Sequence, residues 1–67
     1  MKILLNNILE EVASDALTVN ELLKLKNFTF KMLVIKINGT LIRKNEYESA
    51  MIRDGDEVHV LHLISGG

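Results

Sequence analysis

The stretch KMLVIKINGTLIR, residues 31–43, decides the fold. Leu33, Ile35 and Ile37 alternate with Val34 and Lys36, the period-two pattern of a strand with one buried face. Asn38-Gly39 follows at once. Asn-Gly is the strongest two-residue hairpin signal, because both residues accept the positive φ that a tight twisted turn demands. TLIR then returns as a short partner strand. A hairpin so placed needs further strands beside it and something apolar to cover its face.

Outward from this hairpin, the rest of the chain supplies both. MKILLN opens the sequence with Met1, Ile3 and Leu5 on one face and Lys2, Leu4 and Asn6 on the other. Asn6-Asn7 suits a tight turn, and ILEEVA reads as the returning strand. SDAL reads as loop. Thr18 stands three residues before Glu21, the spacing of a capping box, and so opens a helix. Val19, Leu22 and Leu23 share one stripe of it, Lys24 and Lys26 suit the negative end of the helix dipole, and Asn27 is the stop. KNEYESAM is polar and holds a turn or a short helical segment. Asp54-Gly55 marks another turn, EVHVLHLI is the last strand, and Ser65-Gly66-Gly67 trails from it. The order is hairpin, helix, hairpin, irregular stretch, strand. It predicts a two-layer α+β domain with a mixed sheet and one main helix packed on one face. The first and last strands lie side by side and parallel in the middle. The opposite face then carries Leu4, Val34, Lys36, His59, Leu61 and Leu63, an apolar set that reads as a contact surface.

Bulk properties narrow what such a domain does. Its 67 residues make one domain, which buries only about 60% of the surface of its unfolded chain and has little room for a deep active site. Net charge is −1, with eight basic residues scattered from Lys2 to Arg53, so no nucleic-acid footprint stands out. No apolar run approaches the roughly 20 residues of a membrane span, and the start lacks the features of a secretory signal; a cytoplasmic location is expected. Cysteine is absent, which excludes disulfides, thiolate nucleophiles and Cys-ligated metal. His59 and His62 are three apart on a strand and point to opposite faces, so they do not chelate one metal. Asp54, Asp56 and Glu57 read as a solvated acidic turn, with contact to a basic partner as a second reading. Ser14, Ser49 and Ser65 have no His/Asp arrangement around them. The aromatics Phe28, Phe30 and Tyr47 are isolated, with Phe28 and Phe30 at the core edge.

The chain resembles the β-grasp sulfur carriers, most closely those of the ThiS type from thiamine biosynthesis. KILLN, LTVNELL, IKING and the closing RDGDEVHVLHLISGG carry the resemblance, in that order along the whole length. Where such carriers often have a proline and a tryptophan after the Asn-Gly hairpin, this chain has IRKNEYES. The resemblance implies a ubiquitin-like β-grasp domain over residues 1–64 and a flexible tail over 65–67. It implies that a ThiF-like adenylating enzyme uses ATP and Mg²⁺ to activate the Gly67 carboxylate. Sulfur from a sulfur-donating enzyme then replaces AMP, and a ThiG-like thiazole synthase accepts it from the thiocarboxylate. On this reading the chain is a protein substrate, not an enzyme, and holds no cofactor or metal of its own. Gly66 gives access to a narrow channel, Ile64 and Ser65 lie at its mouth, and Leu4, Val34, His59, Leu61 and Leu63 form the docking face. A carrier for molybdopterin or another sulfurated product, and a β-grasp interaction module with an inert tail, remain the alternatives.

Overall fold

A computed structural model describes residues 1–29 and 32–62. The strand β1 (Lys2–Leu5) turns through Asn6 and Asn7 into β2 (Ile8–Glu11). Both asparagines have positive φ, 51° and 67°, the pair of left-handed residues that matches a turn to the twist of its flanking strands. The second hairpin repeats the device. β4 (Leu33–Ile37) and β5 (Thr40–Ile42) are joined by Asn38 and Gly39 at φ 50° and 83°.

Between the hairpins lies α1 (Val19–Leu25), and Thr18 caps it as its sequence spacing requires. The Glu21 N–H donates to Thr18 Oγ1 at 3.1 Å, and the Thr18 N–H donates to Glu21 Oε1 at 2.9 Å. At the other end Asn27 takes φ 57°. The Phe28 N–H then reaches the Leu23 carbonyl at 2.8 Å and the Asn27 N–H reaches the Lys24 carbonyl at 3.1 Å. This is the Schellman closure with asparagine in the usual glycine place. Phe28 packs against the core from just beyond the helix end. A helix of two turns is not stable alone; α1 holds because Val19 and Leu22 are buried. Lys26 Nζ also meets Glu10 Oε1 at 2.9 Å, tying the helix end to β2.

Two elements depart from the sequence reading. SDAL, expected as loop, runs into β3 (Ala16–Thr18), and the irregular stretch after the second hairpin gives way to β6 (Met51–Arg53). They pair antiparallel, with Leu17 opposite Ile52. Three residues are too few to display a period, which is why alternation did not reveal them. A single 3₁₀ turn, Lys44–Glu46, precedes β6, in the polar segment expected to turn.

The last strand, β7 (Glu57–His62), completes the main sheet, whose order is β2-β1-β7-β4-β5. β7 runs parallel to β1, as the sequence predicts, and antiparallel to β4. The core lies between this sheet, the helix and the small β3-β6 ladder. Ile3, Leu22, Ile35, Ile52, Val19 and Val58 are its most buried side chains. Among the described residues no buried side-chain polar atom lacks a hydrogen-bond partner.

Candidate functional site

β7 is the central strand, and its backbone is gripped on both flanks. At its start, the Asn38 N–H donates to the Glu57 carbonyl at 2.7 Å and the Glu57 N–H donates to Asn38 Oδ1 at 2.9 Å. Asn38 Nδ2 goes on to Asp56 Oδ1 at 3.1 Å. Near its end, the Val60 N–H donates to Asn6 Oδ1 at 2.8 Å, and Asn6 Nδ2 donates to the Val60 carbonyl at 3.2 Å. Two turn asparagines therefore clip the strand from opposite sides. Sequence reasoning saw Asn6 and Asn38 as turn formers and missed this second use. The available signal is that each sits at the end of a strand that neighbours β7.

The acidic turn before β7 is structural as well. Asp54 Oδ1 accepts the Lys2 N–H at 2.7 Å, Asp56 Oδ2 accepts the Arg53 N–H at 2.8 Å, and the Gly55 N–H reaches the Lys2 carbonyl at 2.8 Å. Gly55 has φ 85°, a conformation natural to glycine. The Asp54 carboxylate thus stitches the turn to β1, and the Asp56 carboxylate closes the turn on itself.

The sheet face away from the helix is assembled by register. Val34 stands opposite Leu61, Lys36 opposite His59, and Leu4 opposite Glu57. Residues directly opposite one another share a face, so Leu4, Val34, His59 and Leu61 lie on one surface. Leu61 is 49% exposed and Leu4 40% exposed, while Val34 is half-buried. The same registers add two residues that sequence reading did not place there. Leu9 faces Leu4 across the first hairpin and Leu41 faces Lys36 across the second, at 65% and 54% exposure. The result is an apolar band with Lys36, Glu57 and His59 set into it. His59 Nε2 lies 3.4 Å from Glu57 Oε1. His62, opposite Leu33, belongs to the other face. Leu63, Ile64, Ser65, Gly66 and Gly67 lie outside the described residues.

The register Leu33–His62 sets the last residue of β7 beside the first residue of β4, at one end of the sheet. An open groove on the β5 side, between Leu23, Phe28, Leu41, Ile42 and Tyr47, has Arg43 and Lys44 among its lining residues. Tyr47 packs against the core, and burial raises its phenol above the usual range. Among the described residues no group of three His, Cys, Asp or Glu side chains is placed to hold a metal ion. No helix among them is long and apolar enough to cross a membrane.

Comparison with known proteins agrees with this architecture. The crystal structure of the thiamine biosynthesis protein ThiS from Geobacter metallireducens superposes with a TM-score of 0.87 at 28% identity, covering all of both chains. An NMR solution structure of a thiamine biosynthesis protein from the same organism gives a TM-score of 0.78 at 28% identity, covering all of this chain and 88% of the other. An uncharacterized protein, ycf40, of Trieres chinensis is 24% identical over 58 residues, 87% of this chain and 80% of its own length. The family model for ThiS matches residues 3–67. The β-grasp topology, the full-length structural match and the family model agree, and the chain belongs to the ThiS family of sulfur carriers in thiamine biosynthesis.

Proposed function

We propose that this chain carries sulfur as a thiocarboxylate on Gly67. A carboxylate is a poor electrophile. A ThiF-like partner would bind the tail beside Mg²⁺-ATP, so that a carboxylate oxygen attacks the α-phosphorus and pyrophosphate leaves. The acyl-adenylate then has AMP as its leaving group. Sulfide-level sulfur (HS⁻) supplied by a sulfur-donating enzyme attacks the carbonyl carbon and AMP departs with the carbon–oxygen bond it held, leaving a thiocarboxylate on Gly67. A ThiG-like thiazole synthase takes it from there. Gly66 and Gly67 have no Cβ to meet the walls of a narrow channel. Ile64 and Ser65 occupy the channel mouth, and residues 1–64 act as the folded handle.

The observation that carries this reading is the placement of β7. The most gripped strand of the sheet leads directly to the tail, and the apolar band on its outer side includes Leu4, Val34, His59 and Leu61. A partner seated on that band would hold the tail at its own active centre. Lys36, Glu57 and His59, set into the band, supply the polar contacts that fix orientation.

The test is intact-mass measurement after incubation with ATP, Mg²⁺, the adenylating enzyme and a sulfur donor. The expected product is heavier by the exchange of one oxygen for sulfur, and a chain lacking Gly67 stays unmodified. A folded wild-type chain whose mass never changes would refute the proposal. A sulfurated product that supports another pathway and not thiazole formation would redirect it to a different acceptor.

A further inference from the structure

We infer that Asn6 is a positioning residue for activation of the C-terminus: its carboxamide fixes Val60 in β7, the strand that precedes residues 63–67 in the chain. The inference rests on the carrier reading above. β1 ends at Leu5, whose partner on β7 is Val58. The Asn6 N–H continues the parallel ladder with a 2.9 Å bond to the Val58 carbonyl. In a regular ladder the Asn6 carbonyl would next accept the Val60 N–H. Asn6 instead takes φ 51° and turns the chain into β2. Its side chain substitutes for the missing rung, accepting from the Val60 N–H at 2.8 Å and donating to the Val60 carbonyl at 3.2 Å.

Without those bonds, Val60 is paired on one side only, with Ile35 of β4. A strand held on one edge splays more easily than one held on two, and Val60 lies two residues before the described chain ends. Asn7 separates this role from turn formation. It has the same kind of backbone, φ 67°, yet among the described residues its side chain makes no hydrogen bond. A turn needs two residues that tolerate positive φ; it does not need a carboxamide on Val60.

The experiment compares Asn6→Gly with Asn7→Gly in the full chain. Each keeps the turn conformation, and only the first removes the rung. ATP–pyrophosphate exchange by the adenylating enzyme is followed against carrier concentration, with hydrogen exchange at the Val60 amide as the structural readout. A misplacement of about an ångström at a reacting group is enough for large rate losses, so kcat for Asn6→Gly is expected to fall about tenfold or more. KM should stay within about twofold, because the docking face is intact. Exchange at Val60 should accelerate in Asn6→Gly, and Asn7→Gly should match the wild type in all three measurements. Should Asn6→Gly not fold, Asn6→Asp replaces it, keeping the bond from the Val60 N–H while setting an acceptor against the Val60 carbonyl. Wild-type kcat in the Asn6 variant, or equal losses in both variants, overturns the inference. No exchange with the wild-type chain overturns the carrier reading, and this inference with it.

Discussion

Asn38 and Glu57 exchange two hydrogen bonds, main chain to main chain at 2.7 Å and main chain to side chain at 2.9 Å. Asn38 therefore has two duties, the left-handed turn at φ 50° and the clip on β7. Asn38→Gly keeps the first and the main-chain half of the second, and loses the side-chain half, at an expected cost of about 1 kcal/mol. Asn38→Ala loses the same half and adds left-handed strain of about 1–2 kcal/mol. Urea unfolding should rank wild type, glycine and alanine in falling order. An alanine variant as stable as the glycine one would show that the turn relaxes to another conformation.

The small β3-β6 ladder belongs to the core and is not an appendage. Ile52 is fully buried and pairs with Leu17 across the ladder. Truncating a buried isoleucine to alanine costs about 2–5 kcal/mol. A 67-residue domain has roughly 3–10 kcal/mol in total. Ile52→Ala is therefore expected to leave the chain largely or marginally unfolded at room temperature, read by circular dichroism and a collapsed urea midpoint. A midpoint close to the wild type would place the ladder outside the cooperative unit.

How much of this was legible depended on how long each signal runs. Alternation over Leu33, Ile35 and Ile37, the Asn-Gly pair and the Thr18–Glu21 box are local codes, and each formed the element its spacing specifies. ALT and MIR are strands because Leu17 and Ile52 find one another across the ladder, a long-range pairing with no local period. The outer face shows the same split. Leu4, Val34, His59 and Leu61 followed from alternation within β1, β4 and β7, whereas Leu9 and Leu41 needed the register across each hairpin. The carboxamides of Asn6 and Asn38 were hidden behind a sufficient local explanation, since positive φ alone justifies asparagine.

Tyr47 gives stability an alkaline dependence. Burial raises its phenol above the ordinary 10.0. The folded state therefore binds that proton more tightly than the unfolded chain. The contribution is complete below pH 10.0 and is lost as pH rises from the unfolded value through the folded one. It is the single tyrosine in the sequence, so the phenolate absorbance reports it alone. The folded protein should titrate with a midpoint above 10.0, and Tyr47→Phe should remove this component of alkaline destabilisation. A midpoint at or below the ordinary value would mean that the ring is open to water.

Leu61 tests the docking face. Its side chain is 49% exposed, opposite Val34 and clear of the core. Leu61→Asp is expected to cost no more than about 1 kcal/mol of stability, the span of strand propensity. Placed at the centre of an apolar contact, the same carboxylate would be desolvated without a partner and should weaken binding to the adenylating enzyme by about 2 kcal/mol or more, some thirtyfold in Kd. Leu25→Gln is the control, at 58% exposure on the helix side of the sheet; it should bind as the wild type does. Titration calorimetry with each variant separates the cases, and circular dichroism confirms folding. If Leu61→Asp is folded and binds normally while Leu25→Gln does not, the partner sits on the helix side. The apolar band of Leu4, Val34 and Leu61 would then need another occupant.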